Sequence, residues 1–163
     1  MTSAVLAANP TPGEIPAPWR DAVLPQLHPQ ENVCATLEVD LDIRLHFVPG
    51  LVVVTNQRVL SCERAQGAWQ QWPLQSGLNL LHHDHAGVGQ LDLVNYGGLQ
   101  ATWRFTLGQN LQAIRLVDQF QAQLESLLSG KPLQVALHNV CPSCKAVLEA
   151  DEEECPVCAK VIH

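Results

Sequence analysis

Thr36-Leu-Glu-Val-Asp-Leu-Asp-Ile-Arg-Leu-His-Phe47 alternates polar and apolar residues with period two over twelve positions. Successive side chains of a strand point to opposite faces, so the pattern predicts one long strand, buried on one face and wet on the other. Working outward, Pro49-Gly50 predicts a turn and Leu51-Val-Val-Val-Thr55 a continuously apolar strand. Asn56-Gln57 then turns into Val59-Leu-Ser-Cys-Glu-Arg64, and Gln66-Gly67 precedes a strand Trp69-Gln-Gln-Trp-Pro-Leu74. Residues 77–83, 89–94 and 99–107 supply three more strands, with Gly97-Gly98 between the last two. Short alternating runs punctuated by turn residues imply a mainly antiparallel sheet over 31–108.

One helix follows the strands. Ala113, Leu116, Val117, Phe120, Leu124 and Leu127 recur at helical spacing and form one apolar stripe. Asn110 is the expected N-cap, and Gly130 followed by Pro132 the expected stop. A helix with one apolar face must bury it, and the preceding sheet is the obvious partner. Residues 1–30 hold six prolines and read as an extended lead, with one short helix from Pro18 to Leu24.

The C-terminal part carries the clearest chemistry. Cys141-Pro-Ser-Cys144 and Cys155-Pro-Val-Cys158 are two C-x-x-C turns with ten residues between them. Each turn presents two thiolates along one edge of a tetrahedral site, and the pair completes a four-sulfur shell for structural Zn2+. Pro142 and Pro156 stiffen the turns. With four protein ligands no coordination position remains for a catalytic water. Disulfides would require an oxidising compartment, and Met1-Thr-Ser-Ala-Val-Leu-Ala-Ala8 lacks the basic region of a secretory signal. The expected location is therefore cytoplasmic. Cys34 and Cys62 stand alone in strand-like stretches and read as small buried apolar residues.

Charge narrows the partners. Six Lys/Arg face eleven Asp/Glu over residues 1–130, and three face five over residues 131–163, for a net −7. An acidic chain has no general affinity for nucleic acid or anionic bilayers. With 47% hydrophobic residues in 163 there is enough material for one ordinary core and a small second unit.

Three further features read as structure first. His82-His83-Asp84-His85 offers ligands for a second metal, but alternation puts only His83 and His85 on one face, so it reads as a polar strand end. Gly87-Val-Gly89 and Gly97-Gly98 are hairpin turns, and Trp69, Trp72 and Trp103 are core or rim packing. Glu149 to Glu154, interrupted only by Ala150 in its run of acids, is either a solvated hairpin tip or a contact for a basic partner surface.

Six or seven antiparallel strands followed by one amphipathic helix is the layout of a PH-like barrel. The segment Pro49-Gly-Leu-Val-Val-Val-Thr-Asn-Gln-Arg-Val-Leu-Ser-Cys62 resembles the hairpin of bacterial PH-like domains, an apolar strand followed by T-N-x-R-x-[LI]. Phosphoinositide binding by such a domain needs converging Lys/Arg, whereas here only Arg58 and Arg64 flank the hairpin and Lys is absent before residue 131. Eukaryotic ESCRT-type PH-like domains can carry four-cysteine fingers that bind ubiquitin through a Thr-Phe pair, which residues 145–154 lack. The combination of PH-like domain, His-rich stretch and C-P-x-C ribbon is similar to the N-terminal cytosolic extension of bacterial ABC exporters, including a group associated with cyanophycin metabolism.

The resemblance implies a fold of mainly β class: a PH-like antiparallel barrel capped by one C-terminal helix, over residues 31–130, after a Pro-rich segment (1–30). A four-cysteine zinc ribbon completes it over residues 131–163. It implies a non-enzymatic regulatory module whose partner is another protein or the rest of its own polypeptide. Membrane and ATPase domains would follow residue 163, placing the module near the inner membrane. The alternative is a free-standing soluble adaptor.

Overall fold

A computed structural model describes residues 15–41, 44–63, 68–85, 87–141, 143–144, 146–149 and 152–158. The first fourteen residues, the turn expected at Gln66-Gly67, the stiffening by Pro142, Arg64 and the tail from residue 159 lie outside them.

Seven antiparallel strands form one sheet: β1 (Val33–Leu41), β2 (Phe47–Thr55), β3 (Arg58–Glu63), β4 (Trp69–Pro73), β5 (Asn79–His85), β6 (Val88–Asn95) and β7 (Gly98–Thr106). Their spatial order is β4-β3-β2-β1-β7-β6-β5. Two meanders thus meet along β1 and β7. Along that seam, among the described residues, Leu41 stands opposite Arg104, and the Asp40 carboxylate accepts from Thr106 N–H at 2.9 Å and Oγ1 at 2.8 Å.

The sheet curls on itself. In a flat sheet the four steps from β4 to β7, at about 4.8 Å each, would separate their residues by roughly 19 Å. The rings of Trp72 on β4 and Trp103 on β7 instead meet edge to face with centroids 5.7 Å apart. The curl encloses Leu37, Val52, Leu80, Leu91, Leu93 and Phe105, and α2 (Asn110–Ser129) closes it with Ala113, Leu116 and Phe120. At Gly89, a Cβ would lie 2.1 Å from the Phe105 ring, so only glycine lets that ring cross β6.

The unbroken apolar run 51–54 has its cause in a second layer. Val52 and Val54 face the main core, while Leu51 and Val53 face a smaller cluster with Trp19, Val23, Leu60 and Cys62. Trp19 and Val23 belong to the helical segment 17–26, whose central turn is α1 (Arg20–Val23). Part of the proline-rich lead therefore covers the outer face of β2 and β3, and both faces of β2 are dry from Gly50 to Thr55.

Three expectations are corrected. The twelve-residue alternation does not form one strand: β1 ends at Leu41 and the chain reverses before Phe47, with Leu45 at φ 64°. Pro49-Gly50 is not a turn but part of β2. Gly50 pairs with both Val39 and Glu63, and a Cβ there would stand 2.9 Å from Val39 Cγ2, so glycine serves close strand approach. The register slips between Val39 and Leu41, and the bulge takes up Pro49, which a regular ladder position in an interior strand would not tolerate.

The third correction concerns Asn110. Gln109 occupies the N-cap position of α2, and Asn110 Oδ1 instead meets His82 Nε2 at 2.7 Å. The helix end is as expected: Gly130 takes φ 72° and its N–H returns to Ser126 O at 3.0 Å. Among the described residues, no helix is long and apolar enough to cross a membrane.

Candidate metal centre

After α2 the chain runs without regular structure to a small hairpin, β8 (Asn139–Val140) paired with β9 (Val147–Leu148). Cys141 N–H donates to Ala146 O at 2.9 Å, which closes the first cysteine turn beneath the hairpin. Leu148, Cys141 and Cys155 are fully or nearly fully buried and make the hairpin's own small core. So little apolar area cannot hold a fold by itself, which is the usual reason such units need a metal.

Cys141, Cys144, Cys155 and Cys158 converge as expected. Their sulfurs all lie within 4.8 Å of one another. Cys141 and Cys158 are 3.7 Å apart at sulfur, and Cys144 and Cys155 are 3.5 Å apart. A tetrahedron of metal–sulfur bonds near 2.3 Å sets its sulfurs about 3.8 Å apart, so the four cysteines are positioned to hold a metal ion, in a geometry consistent with zinc. Val157 N–H points at Cys155 Sγ (3.4 Å), the kind of contact that supports a metal-bound thiolate.

The acidity of the thiols agrees. The N–H of Cys144, against the effect of burial and with help from Ser143, holds the Cys141 thiol down to about 6. Cys144 rises to about 12: the Ala146 backbone draws it down, but desolvation and the three neighbouring sulfurs outweigh that contact. The Cys141 thiolate forms readily and Cys144 then resists ionising. A dication among the four removes the conflict.

The two remaining cysteines behave as apolar side chains. Burial pushes the Cys34 thiol to about 11, against a contact from Gln123, and desolvation with nearby Glu63 raises Cys62.

The His82–His85 stretch does not converge on a point. His82 stacks on Phe105 with ring centroids 6.2 Å apart, while His83 Nε2 lies 3.4 Å from Asp92 Oδ2 on the neighbouring strand. Among the described residues the four cysteines form the one cluster of His, Cys, Asp and Glu able to surround an ion.

Arg58 is turned inward. Its guanidinium grips buried Glu31 with two hydrogen bonds of 2.8 Å, and donates to Gln71 Oε1 at 2.6 Å and to the Gln26 carbonyl. Thr55 Oγ1 donates to Glu31 Oε2 at 2.6 Å and accepts from the N–H groups of Gln57 and Arg58. The Thr55-Asn-Gln-Arg58 motif is thereby explained as a turn tied to a buried ion pair.

Sequence reasoning missed the residues that dock the metal hairpin. His138 lies between α2 and β9: Nδ1 is 2.8 Å from Asp118 Oδ2 and Nε2 is 2.9 Å from Glu149 Oε2. Its N–H also donates to Asp118 at 2.8 Å, and Arg115 Nε donates to its carbonyl at 2.8 Å. A single histidine three residues before the first ligand gives no periodic or motif signal that could have marked it.

Comparison of the chain with protein-family models, with curated proteins and with solved structures finds no match.

Proposed function

We propose that this chain is a non-catalytic, cytosolic protein-interaction module in which a PH-like barrel carries a structural zinc ribbon. The observation that carries the reading is the closed shell of Cys141, Cys144, Cys155 and Cys158. Four protein sulfurs leave a bound ion no position for water or substrate, so the ion serves to fold the hairpin. Two curled meanders followed by one helix after β7 support the PH-like assignment. Arg58, engaged with Glu31 in the interior, is a poor phosphate ligand, which turns the barrel's partner from lipid towards protein.

The resemblance to exporter N-terminal extensions makes the larger context an ABC transporter, with this module docking on its cytosolic face or recruiting a partner. The adaptor alternative keeps the same chemistry without the transporter. Two measurements test this. Affinity capture with the zinc-loaded chain should recover a partner that is lost in Cys141→Ser, and capture unaffected by that change removes the ribbon from the function. Reading the gene past the His163 codon separates the contexts: apolar spans and a Walker A motif support the exporter, a stop codon the adaptor.

A further inference from the structure

Between α2 and the metal hairpin runs a groove of about 490 Å3, within the roughly 300–1,000 Å3 range of ligand sites. Ile114 and Val117 of the helix form one wall, and Val147 and Pro156 of the hairpin the other. Val147 is 41% exposed and Pro156 is exposed, so this apolar surface faces water. The charged groups around it share one sign. Asp118 sits at the floor and Glu149 and Glu152 at the rim, and among the described residues no Lys or Arg lines the groove. Arg115, on the same helix, directs its guanidinium to His138 O and Asn139 Oδ1. Even with the lining imidazoles of His82 and His138 both protonated, three carboxylates outnumber two cations.

We infer that this groove docks a basic peptide segment of a partner protein, in which Lys or Arg alternates with apolar residues. The inference rests on the interaction-module reading and adds the partner's chemistry to it. The aliphatic stem of a lysine lies along Val117 and Val147 while its ammonium reaches Glu149 or Glu152, the division that amphipathic side chains favour. Burying the apolar walls supplies most of the affinity; exposed ion pairs at the rim add about 0–1 kcal/mol each and select the sign of the partner. Nucleic acid and anionic lipid meet the same carboxylates and are repelled. A second metal is a poorer occupant, because the ligand atoms of these groups do not converge as those of the cysteines do.

The test uses the full zinc-loaded chain and fluorescence anisotropy with a short labelled peptide of alternating leucine and lysine. Saturable binding is expected, with a Kd on the order of 10–100 μM. A leucine–glutamate peptide and a serine–lysine peptide should each bind about tenfold more weakly or worse. Val147→Lys, and separately Glu152→Gln, should cost about tenfold in affinity while zinc content and far-UV circular dichroism stay unchanged. The proposal is overturned by equal binding of the glutamate peptide, by equal binding of the serine peptide or spermidine, by indifference to Val147→Lys, or by no saturation up to about 1 mM. Each of those results leaves the module reading standing, since that reading is tested separately, by whether capture of a partner depends on Cys141.

Discussion

The indole N–H of Trp103 on β7 donates to Ser61 Oγ on β3 at 2.8 Å, across three intervening strand steps. The bond runs across the interior of the curled sheet and ties the two meanders by side chains where their backbones do not pair. Both residues are largely buried, at 9% and 6% exposure, so losing the bond leaves a poorly solvated donor. Ser61→Ala should therefore cost about 1–3 kcal/mol, the penalty for an orphaned buried donor. Trp103→Phe should cost more, because it also opens space beside Trp72. Urea unfolding reads both, and a neutral Ser61→Ala would mean the indole finds another acceptor.

Glu31 gives the fold an acid dependence. Burial opposes its ionisation, yet hydrogen bonds from Arg58, the His28 N–H and Thr55 outweigh that and lower its carboxyl from 4.5 to about 2. A depressed carboxyl stabilises the folded state above its unfolded value, and that contribution fades as pH falls from about 4.5 towards 2. The amount at stake is about 3 kcal/mol. Glu31→Gln should flatten the stability curve across that window and destabilise the protein at neutral pH by about 3–5 kcal/mol, because Arg58 is left buried without its counter-ion. Thermal unfolding from pH 2 to 7 checks both, and an unchanged acid slope in the variant would assign the dependence to other carboxylates.

Metal removal should act locally. We expect about one zinc per chain, and either chelation or Cys141→Ser should unfold residues 139–158 while the seven-stranded sheet persists. The hairpin's own core of Leu148 with two cysteines is too small to survive without the ion. Metal analysis with near-UV circular dichroism of the tryptophans, which lie outside the hairpin, separates the outcomes. Loss of the tryptophan signal on chelation would show one cooperative unit instead.

His138 fastens the hairpin from outside the four-cysteine cluster. Replacing it by Ala removes contacts to Asp118 and Glu149, groups whose charged hydrogen bonds are worth about 1.5–3 kcal/mol. Zinc content should stay the same while protease cuts within residues 131–138 about tenfold faster. Equal cleavage rates would mean that Arg115 alone suffices to hold the segment.

Much of this was legible in the primary structure because the signals were local. The alternation of β6, the apolar stripe of α2 and the Gly130 stop each reflect neighbours within a few residues, and the four cysteines carry their geometry in their spacing. Pro49-Gly50 misled because the dipeptide usually signals a turn, whereas here a bulge and a tight interstrand approach claim it. Asn110 misled because His82, 28 residues away, takes the side chain that a cap would use. The Glu31–Arg58 pair and the His138 clasp join residues 27 and 20 positions apart, and no periodicity encodes such distances.

The seam between β1 and β7 bears on how quickly the protein forms. Hairpins such as β2–β3 close loops of a few residues, and closing a short loop takes well under a microsecond. Asp40 and Thr106 must find each other across 66 residues, and little is gained until they do. Asp40→Ala should accordingly slow refolding about as much as it lowers stability, which stopped-flow fluorescence of Trp103 would register. If only unfolding accelerated, the seam would be a late latch. If refolding slows, this one junction sets the pace for the whole chain.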